Sequence, residues 1–566
     1  MPQSLTETVL AHFKQEGLTH VFGIVGGLLH PFFRGIEDDK SITFIHARHE
    51  EGAAFMADGF ARTSGNPAVV AGTSGPGATN LITGVACAFT DGVPMIVITG
   101  NVATGALGKG AAQETNREDI DIVEMFRPIT KYSAFVSTPE SFTLHFQRAM
   151  RAMHEGRKGP VHLNIPVDLW NKPTEATVLS PKNYRAYSEP FDAEEVDSAV
   201  SALLKAERPT FLVGSVVASS QAQTQVLFLA NKLNARVATT PRAKGVFPED
   251  HPYSLGVFGN AGHKSAQETI FSEDIDVLFT IGTSLGEVST YSWSPKLRPT
   301  KTLIQLDIDP IRIGRNYPVD IPLVGNARSI LNHMLDEISH CWQPIGHSKW
   351  RKPGDSVELR LFDTELRTSD SVPLAPQRWR ADLEGVLPDD AIIFSDIGGH
   401  MLFNLHYLIL KKQQQFMINL GFGSMGHGTA APIGAALATN KPVFALVGDG
   451  CFTMNGMELI TAYQYDIPVI WIVENNNMHG VSYHCSKILD HGKPMASTVN
   501  RKGVSISEIA KGMGLETRLV TEPNQMQGAV RELLTLRVPS VIEVITDPNI
   551  APPVAVRSTS LAGFIK

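Results

Sequence analysis

The stretch from Val443 to Gly480 holds residues whose types and spacing suit metal and phosphate chemistry. An apolar run, Val443–Val447, reads as a buried strand. It stops at Gly448-Asp449-Gly450, where two glycines let the backbone turn tightly and approach a ligand closely. Met457, Ile460 and Tyr463 then recur at helical period among polar neighbours. A second apolar run, Val469–Val473, ends in Glu474-Asn475-Asn476-Asn477. Two parallel strands joined by a crossover helix place Asp449 and the asparagines together at the carboxyl edge of a sheet, where doubly wound folds bind ligands. A carboxylate, an amide oxygen and a loop carbonyl form a hard, all-oxygen donor set. Such a set suits Mg²⁺ bridging to a diphosphate better than zinc or iron. Taken singly, the same residues also describe a plain strand-to-helix turn and a polar loop.

Gly-Asp-Gly followed by adjacent asparagines across one β-α-β unit resembles the motif of the thiamine-diphosphate (ThDP) enzymes. In that family the Asp, the second Asn and the carbonyl two residues on hold the metal. Here these are Asp449, Asn476 and the carbonyl of Met478, with Gly450 and Cys451 beside them at the cofactor. A second motif, Arg48-His49-Glu50-Glu51-Gly52-Ala53-Ala54, opens a helical run. An acidic residue in a first turn complements the helix dipole and needs no further role. The resemblance gives Glu50 one, because acetolactate-synthase-like members carry their glutamate there. It implies that Glu50 hydrogen-bonds N1′ of the aminopyrimidine and favours its imino tautomer, whose 4′ nitrogen removes the C2 proton. Burial raises a carboxyl's pKa far enough to share such a proton near neutrality.

The resemblance extends along the chain. Gln113, in Ala112-Gln113-Glu114-Thr115, falls where the family places a glutamine facing the reacting carbon; as a residue alone it is a polar loop side chain. Ser74-Gly75-Pro76-Gly77-Ala78-Thr79-Asn80 lies on the same edge, and no His-His pair or His in the Thr73-Ser74 turn marks an aldehyde-releasing decarboxylase. Asp396-Ile397-Gly398-Gly399-His400 matches the turn that contacts the diphosphate through Gly398 and His400, as a glycine-bearing helix N-terminus does. Relatives often have Gln where Gly399 stands. In Gly421-Phe422-Gly423-Ser424-Met425-Gly426-His427-Gly428, the Gly423 carbonyl is implied to accept from the 4′-amino group and Met425 to wedge the cofactor into its folded shape. His427 replaces an aromatic; it reads as a packed structural residue, with an acid/base or carboxylate-binding role as the alternative.

Other departures concern the substrate. The family's substrate-carboxylate Arg aligns with Ser284–Thr290, where there is none. An Arg–carboxylate clamp is the usual way to hold a 2-oxo acid. Cys485 stands where the synthases carry a Trp over the substrate channel, and Ala112 replaces a Phe. A wider pocket and a substrate larger than pyruvate are expected. For FAD, Gly156-Arg157-Lys158-Gly159-Pro160 and Leu306-Asp307-Ile308-Asp309-Pro310 resemble flavin-bearing relatives, but the glycine cluster after Phe211–Val213 is reduced to Gly214-Ser215-Val216. The expectation is a flavin-free chain; a flavin-dependent 2-oxo-acid oxidase, or another ThDP-dependent C–C lyase, is the alternative.

Positioning these residues takes several α/β units. A chain of 566 residues exceeds one core and suggests about three or four domains at ~150 residues each. Strand and helix patterns alternate: His20–Val25, Thr43–His46, Glu50–Arg62, Ala68–Gly72 and Met95–Thr99 in the first part, and Ala391–Ser395, Ala430–Ala438 and Ser540–Ile545 in the last. The expected architecture is α/β with three doubly wound parallel-sheet domains: 1–180 pyrimidine-binding, 190–345 central and 375–566 diphosphate-binding. The opening segment forms an amphipathic helix with Leu5, Val9 and Phe13 on one face and lacks a signal peptide's apolar core. The tail from Pro552 reads as flexible.

A net charge of −8 gives no basic surface for nucleic acid, and no apolar run approaches the roughly 20 residues that span a membrane. Four dispersed cysteines, Cys87, Cys341, Cys451 and Cys485, suit a reduced cytoplasmic protein. The resemblance implies attack on a 2-oxo acid, loss of CO₂ and addition of the resulting enamine to an acceptor carbonyl. It also implies a homodimer or homotetramer, because Glu50 of one subunit meets the metal motif of its neighbour.

Overall fold

The computed structural model of the chain describes residues 3–186, 190–272, 274–340, 348–350, 356–411 and 413–553. Cys341, and the tail expected from Pro552 past residue 553, lie outside them. The described residues contain three six-stranded parallel sheets. The first holds β1 (His20–Gly23), β2 (Thr43–His46), β3 (Ala68–Gly72), β4 (Met95–Asn101), β5 (Ser133–Phe135) and β6 (Val161–Pro166), in the order β2-β1-β3-β4-β6-β5. The central sheet holds β7 (Pro209–Val213), β8 (Arg236–Thr239), β9 (Ser254–Val257), β10 (Val277–Ile281), β11 (Thr302–Asp307) and β12 (Ile321–Val324), in the order β9-β8-β7-β10-β11-β12. The third holds β13 (Ile392–Ser395), β14 (Gln415–Ile418), β15 (Val443–Gly448), β16 (Val469–Asn475), β17 (Glu516–Val520) and β18 (Ser540–Ile545), in the order β14-β13-β15-β16-β18-β17.

The first and third sheets thus share one topology. Among their inner strands β3, β4 and β15 are buried along their whole length, which is why they read as unbroken apolar runs rather than alternating ones. β15 and β16 pair with Val443 opposite Val469 and Gly448 opposite Glu474. That register brings the Gly-Asp-Gly turn and the asparagine loop to the same sheet edge.

The helices that pack these sheets and frame their edges include α1 (Leu5–Gln15), α2 (Glu50–Ser64), α3 (Ile82–Asp91), α4 (Gly399–Tyr407), α5 (His427–Ala438), α6 (Asp449–Asn455) and α7 (Gly480–Leu489). α1 buries Leu5, Val9 and Phe13 as its pattern predicts, and a Ser4–Glu7 capping box starts it. The segment after Gly-Asp-Gly corrects the reading of its face. It breaks into α6, a 3₁₀ turn and a short helix that bury Phe452, Glu458, Leu459 and Ala462, while Met457 and Tyr463 stand exposed.

The first and third sheets are joined by α2 against α5, with Phe55, Ala57, Ala431 and Ile433 in one continuous core. Their backbones touch: a Cβ at Gly434 would lie 1.8 Å from the Met56 carbonyl oxygen, and one at Gly59 would lie 1.9 Å from that of Ala431. Backbone cannot yield as a side chain does. Gly434→Ala should cost ~1–3 kcal/mol or more through overpacking, read as a lower urea midpoint; an unchanged midpoint would show that the helices can separate freely.

Candidate active site

The candidate site is a cavity of about 70 Å³ at the carboxyl edge of the third sheet. It lies between the ends of β13 and β15, where the strand order reverses. Gly398, His400, Met425, Asp449, Gly450, Cys451, Asn476 and Met478, all expected at a cofactor, line it together. The N-termini of α4, α6 and α7 converge there, since Gly399, Asp449 and Gly480 each begin a helix and each line the cavity. Unpaired N–H groups and aligned dipoles make such ends anion sites.

Each side chain is held for a reason. The His400 ring fits between two glycines: a Cβ at Gly448 would lie 2.7 Å from its Nδ1, and one at Gly398 would lie 2.8 Å from its Cε1. Burial, aided by Arg380, pushes the imidazole down to about 3, so it is neutral, and its buried Nε2 has no partner. Asp449 Oδ1 accepts from the Gly450 N–H at 2.8 Å, whereas Oδ2 is buried without a partner. Burial pushes this carboxyl up to about 6, against the N–H groups of Gly450 and Asn477. Asn476 Oδ1 accepts from the Met478 N–H at 3.2 Å, and Asn477, at φ 59°, reverses the loop. The Cys451 thiol donates to the Ile397 carbonyl at 3.1 Å and ties the two turns together. Among the described residues no group of three His, Cys, Asp or Glu side chains could hold a metal. An orphaned carboxylate oxygen beside an amide oxygen and loop carbonyls fits a hard cation that takes its other ligands from phosphate and water.

Of the remaining expected residues, Glu50 and Gln113 belong to the first domain and Gly423 to the third, and none of them lines this cavity. Glu50, buried at the start of α2, accepts from the Asn80 amide at 3.0 Å, and a Cβ at Gly77 would lie 3.3 Å from its Oε1. Gln113 adopts φ 62° with its side chain exposed, and its carbonyl accepts from Ser74 Oγ at 2.7 Å. Gly423, at φ 79°, donates its N–H to the Asn419 carbonyl two residues before Met425.

Family models agree with this layout. The thiamine pyrophosphate enzyme N-terminal TPP binding domain matches residues 3–124, the central domain 196–334 and the C-terminal TPP binding domain 396–544. The "Probable acetolactate synthase large subunit" of Methanocaldococcus jannaschii is 32% identical over 99% of this chain and 95% of its own length. The chain belongs to the thiamine-diphosphate enzymes of acetolactate-synthase type. The acetolactate synthase isozyme 3 large subunit of Escherichia coli K12 is 30% identical over 93% of this chain and 92% of its own. A solved Mycobacterium smegmatis structure, provisionally described as a thiamin diphosphate-dependent enzyme, superposes with a TM-score of 0.82. It is 24% identical and covers 97% of this chain and 100% of its own, a likeness of fold.

Within this ThDP enzyme, His427 takes its structural reading. It is buried at the start of α5, and its Nε2 lies 2.7 Å from Asp58 Oδ1 on α2. Burial pushes Asp58 up, but Arg62 and His427 outweigh it and bring the carboxyl down to about 2. Cys485 packs in the core with Met401 and Leu405 and does not line the cavity. Ala112 is exposed beside Gln113.

Two features escaped the sequence. The N-terminus of α7 was signalled only by His479-Gly480 after the asparagines. Glu458, buried in the third domain, accepts the Arg48 N–H at 3.1 Å and the His49 N–H at 2.9 Å, fixing the entry to α2 just before Glu50. No helix among the described residues is long and apolar enough to cross a membrane.

Proposed function

We propose that this ThDP enzyme uses Mg²⁺ to decarboxylate a 2-oxo acid and join the retained fragment to an acceptor carbonyl, at sites shared between two copies of the chain. The observation that carries the reading is the unpartnered Asp449 oxygen at the meeting point of three helix N-termini. ThDP supplies, when bound, a nucleophilic carbon and a sink for the electrons left by CO₂. Asp449, Asn476 and the Met478 carbonyl hold the metal. His400 Nε2, neutral and unpartnered, is placed to donate to a phosphate oxygen, as are the amides that open α4 and α7. Gly423 and Met425 hold the pyrimidine end. Glu50, oriented by the Asn80 amide, offers Oε1 as the oxygen that shares a proton with the ring. Gln113 lies on the same edge as an amide donor toward the reacting carbonyl.

Glu50 does not line the Asp449 cavity within one chain, which supports completion of the site by a second copy. Met454 in the last turn of α6 and Met457 just past it, 55% and 57% exposed, offer an apolar surface to it. The acetolactate synthase names of the relatives support carbon–carbon bond formation, while the missing arginine at 284–290 and the small Ala112 favour a substrate larger than pyruvate.

With ThDP and Mg²⁺, a panel of 2-oxo acids should release CO₂ and give a new carbon–carbon bond when an aldehyde or second 2-oxo acid is added. Chelation should abolish turnover and Mg²⁺ should restore it. Activity that persists in chelator would remove Mg²⁺ from the reading, and CO₂ release yielding only aldehyde would remove carboligation.

A further inference from the structure

A cavity of about 560 Å³ lies where the strands of the third sheet begin. Val443 opens β15, Ile470 is the second residue of β16, and Val538 lies just before β18, so this is the amino edge, opposite the Asp449 cavity. Along β15 the five steps from Val443 to Gly448 separate the two by ~17 Å. The last turns of two helices close the cavity: α5, through Ala436, and α8 (Gln525–Leu536), through Leu533 and Leu534. Its size falls within the ~300–1,000 Å³ of small-molecule pockets, which are mostly apolar with a few polar groups that fix orientation.

Here the charged groups are both cations. Lys441, half-buried between α5 and β15, and Arg537, just past α8, line the cavity, and no aspartate or glutamate among the described residues does. Neither cation has an ion pair or a side-chain hydrogen bond among the described residues. A half-buried ammonium without a counter-ion carries a desolvation cost that an anion would relieve.

Arg537 also sits in strained backbone. It follows α8 at φ 53° and ψ 44°, in the left-handed region. α2 and α3 end in the same region on Gly65 and Gly92, which lack the Cβ that makes it unfavourable. A cation past a helix C-terminus answers the helix dipole, but a basic residue in the last turn would do so without strain, and α8 has none there. What position 537 adds is a guanidinium on the cavity wall.

We propose that this cavity binds a small carboxylic acid with a hydrocarbon body. Lys441 and Arg537 hold its carboxylate, and its chain lies on Ala436, Val443, Ile470, Leu533 and Leu534. The guanidinium meets a carboxylate as a planar fork and the ammonium as a point charge. Thr439 and Asn440, also on the wall, add a hydroxyl and an amide that can donate. An alkylammonium has the same body but finds only like charge. The site stands apart from the cofactor reading, because none of its residues is assigned to ThDP or the metal.

Full-length protein loaded with ThDP and Mg²⁺ is titrated calorimetrically with octanoate, hexanoate, acetate and octylammonium. Octanoate should bind once per chain, roughly tenfold tighter than hexanoate, as burial of two further methylene groups implies. Acetate and octylammonium should not saturate in the same range. Lys441→Met and Arg537→Gln should each weaken octanoate about tenfold, and Lys441→Glu combined with Arg537→Glu should reverse the preference toward octylammonium. Arg537→Gly should weaken octanoate as Arg537→Gln does while melting no lower than the wild type, since glycine fits the left-handed turn. Each variant should keep wild-type ThDP affinity, which shows that it is folded.

No saturable octanoate binding, or octylammonium bound as tightly as octanoate, would overturn the site. Octanoate affinity unmoved by the charge reversal would place the acid elsewhere, the ThDP site included, and overturn it as well. A lower melting temperature for Arg537→Gly would show that Arg537 stands there for stability and count against the proposal. Sedimentation with phosphatidylglycerol vesicles that is lost on the same charge reversal would put a membrane surface in place of the small acid, again overturning it.

Discussion

Asp449→Asn is expected to weaken ThDP binding in Mg²⁺ by about 150- to 5,000-fold, the ~3–5 kcal/mol that removing one partner of a buried charge pair costs, while making the cofactor-free protein more stable at pH 7. The two effects share one cause. Without a cation, Asp449 is a buried carboxylate with one unpartnered oxygen, and burial holds its pKa at about 6 against an ordinary 3.8. Between those values the unfolded chain has lost the proton and the native state keeps it, so the native state binds more protons and stability falls as pH rises. Below pH 4 this penalty is absent; above pH 6 it is complete, on the order of 3 kcal/mol. The amide carries no charge to desolvate, so the variant's apo melting curve should be flatter between pH 4 and 6 and lie higher at pH 7. Bound Mg²⁺ reverses the sign for the wild type alone, because the variant has no carboxylate to offer it. An apo variant less stable than wild type would show that Oδ2 is satisfied in solution, and normal ThDP affinity would remove Asp449 from the metal site.

The sheet frame was legible because parallel strands buried on both faces write themselves as apolar runs that stop at glycine. Val443–Val447 and Val469–Val473 needed only one or two residues added to match β15 and β16. Gly-Asp-Gly and the asparagines were legible as a pair because parallel pairing forces their loops to one edge. Helix faces were harder. Met457 and Tyr463 recur at helical period yet stand exposed, and Glu458 faces inward because it accepts N–H groups from residues about four hundred positions earlier. Periodicity cannot weigh such a partner. The same distance hid the Asp58–His427 pair. What the sequence yielded least was the third helix N-terminus, since α7 opens on glycine with no side-chain cap.

Glu50→Gln should reduce turnover by roughly 10²- to 10⁴-fold, the usual contribution of a positioned acid or base, with ThDP affinity little changed. Gln retains the size of Glu and can still meet the Asn80 amide, so α2 should keep its entry geometry. It cannot share a proton. The more telling result comes from combining this variant with Asp449→Asn. Neither homodimer should turn over, because each lacks one half of both sites. In a mixed dimer the two lesions fall on the same site if Glu50 of one copy serves the Asp449 cavity of the other, and the second site is then wild type in every residue. Co-expression at equal levels gives half mixed dimers, each with one working site of two, so activity should recover to about one quarter of wild type in a symmetric pair. If each chain completed its own site, every site in the mixture would carry a lesion and no activity would return. Recovery therefore decides between the two arrangements, and it does so through Glu50 and Asp449 alone, whichever 2-oxo acid proves to be the substrate.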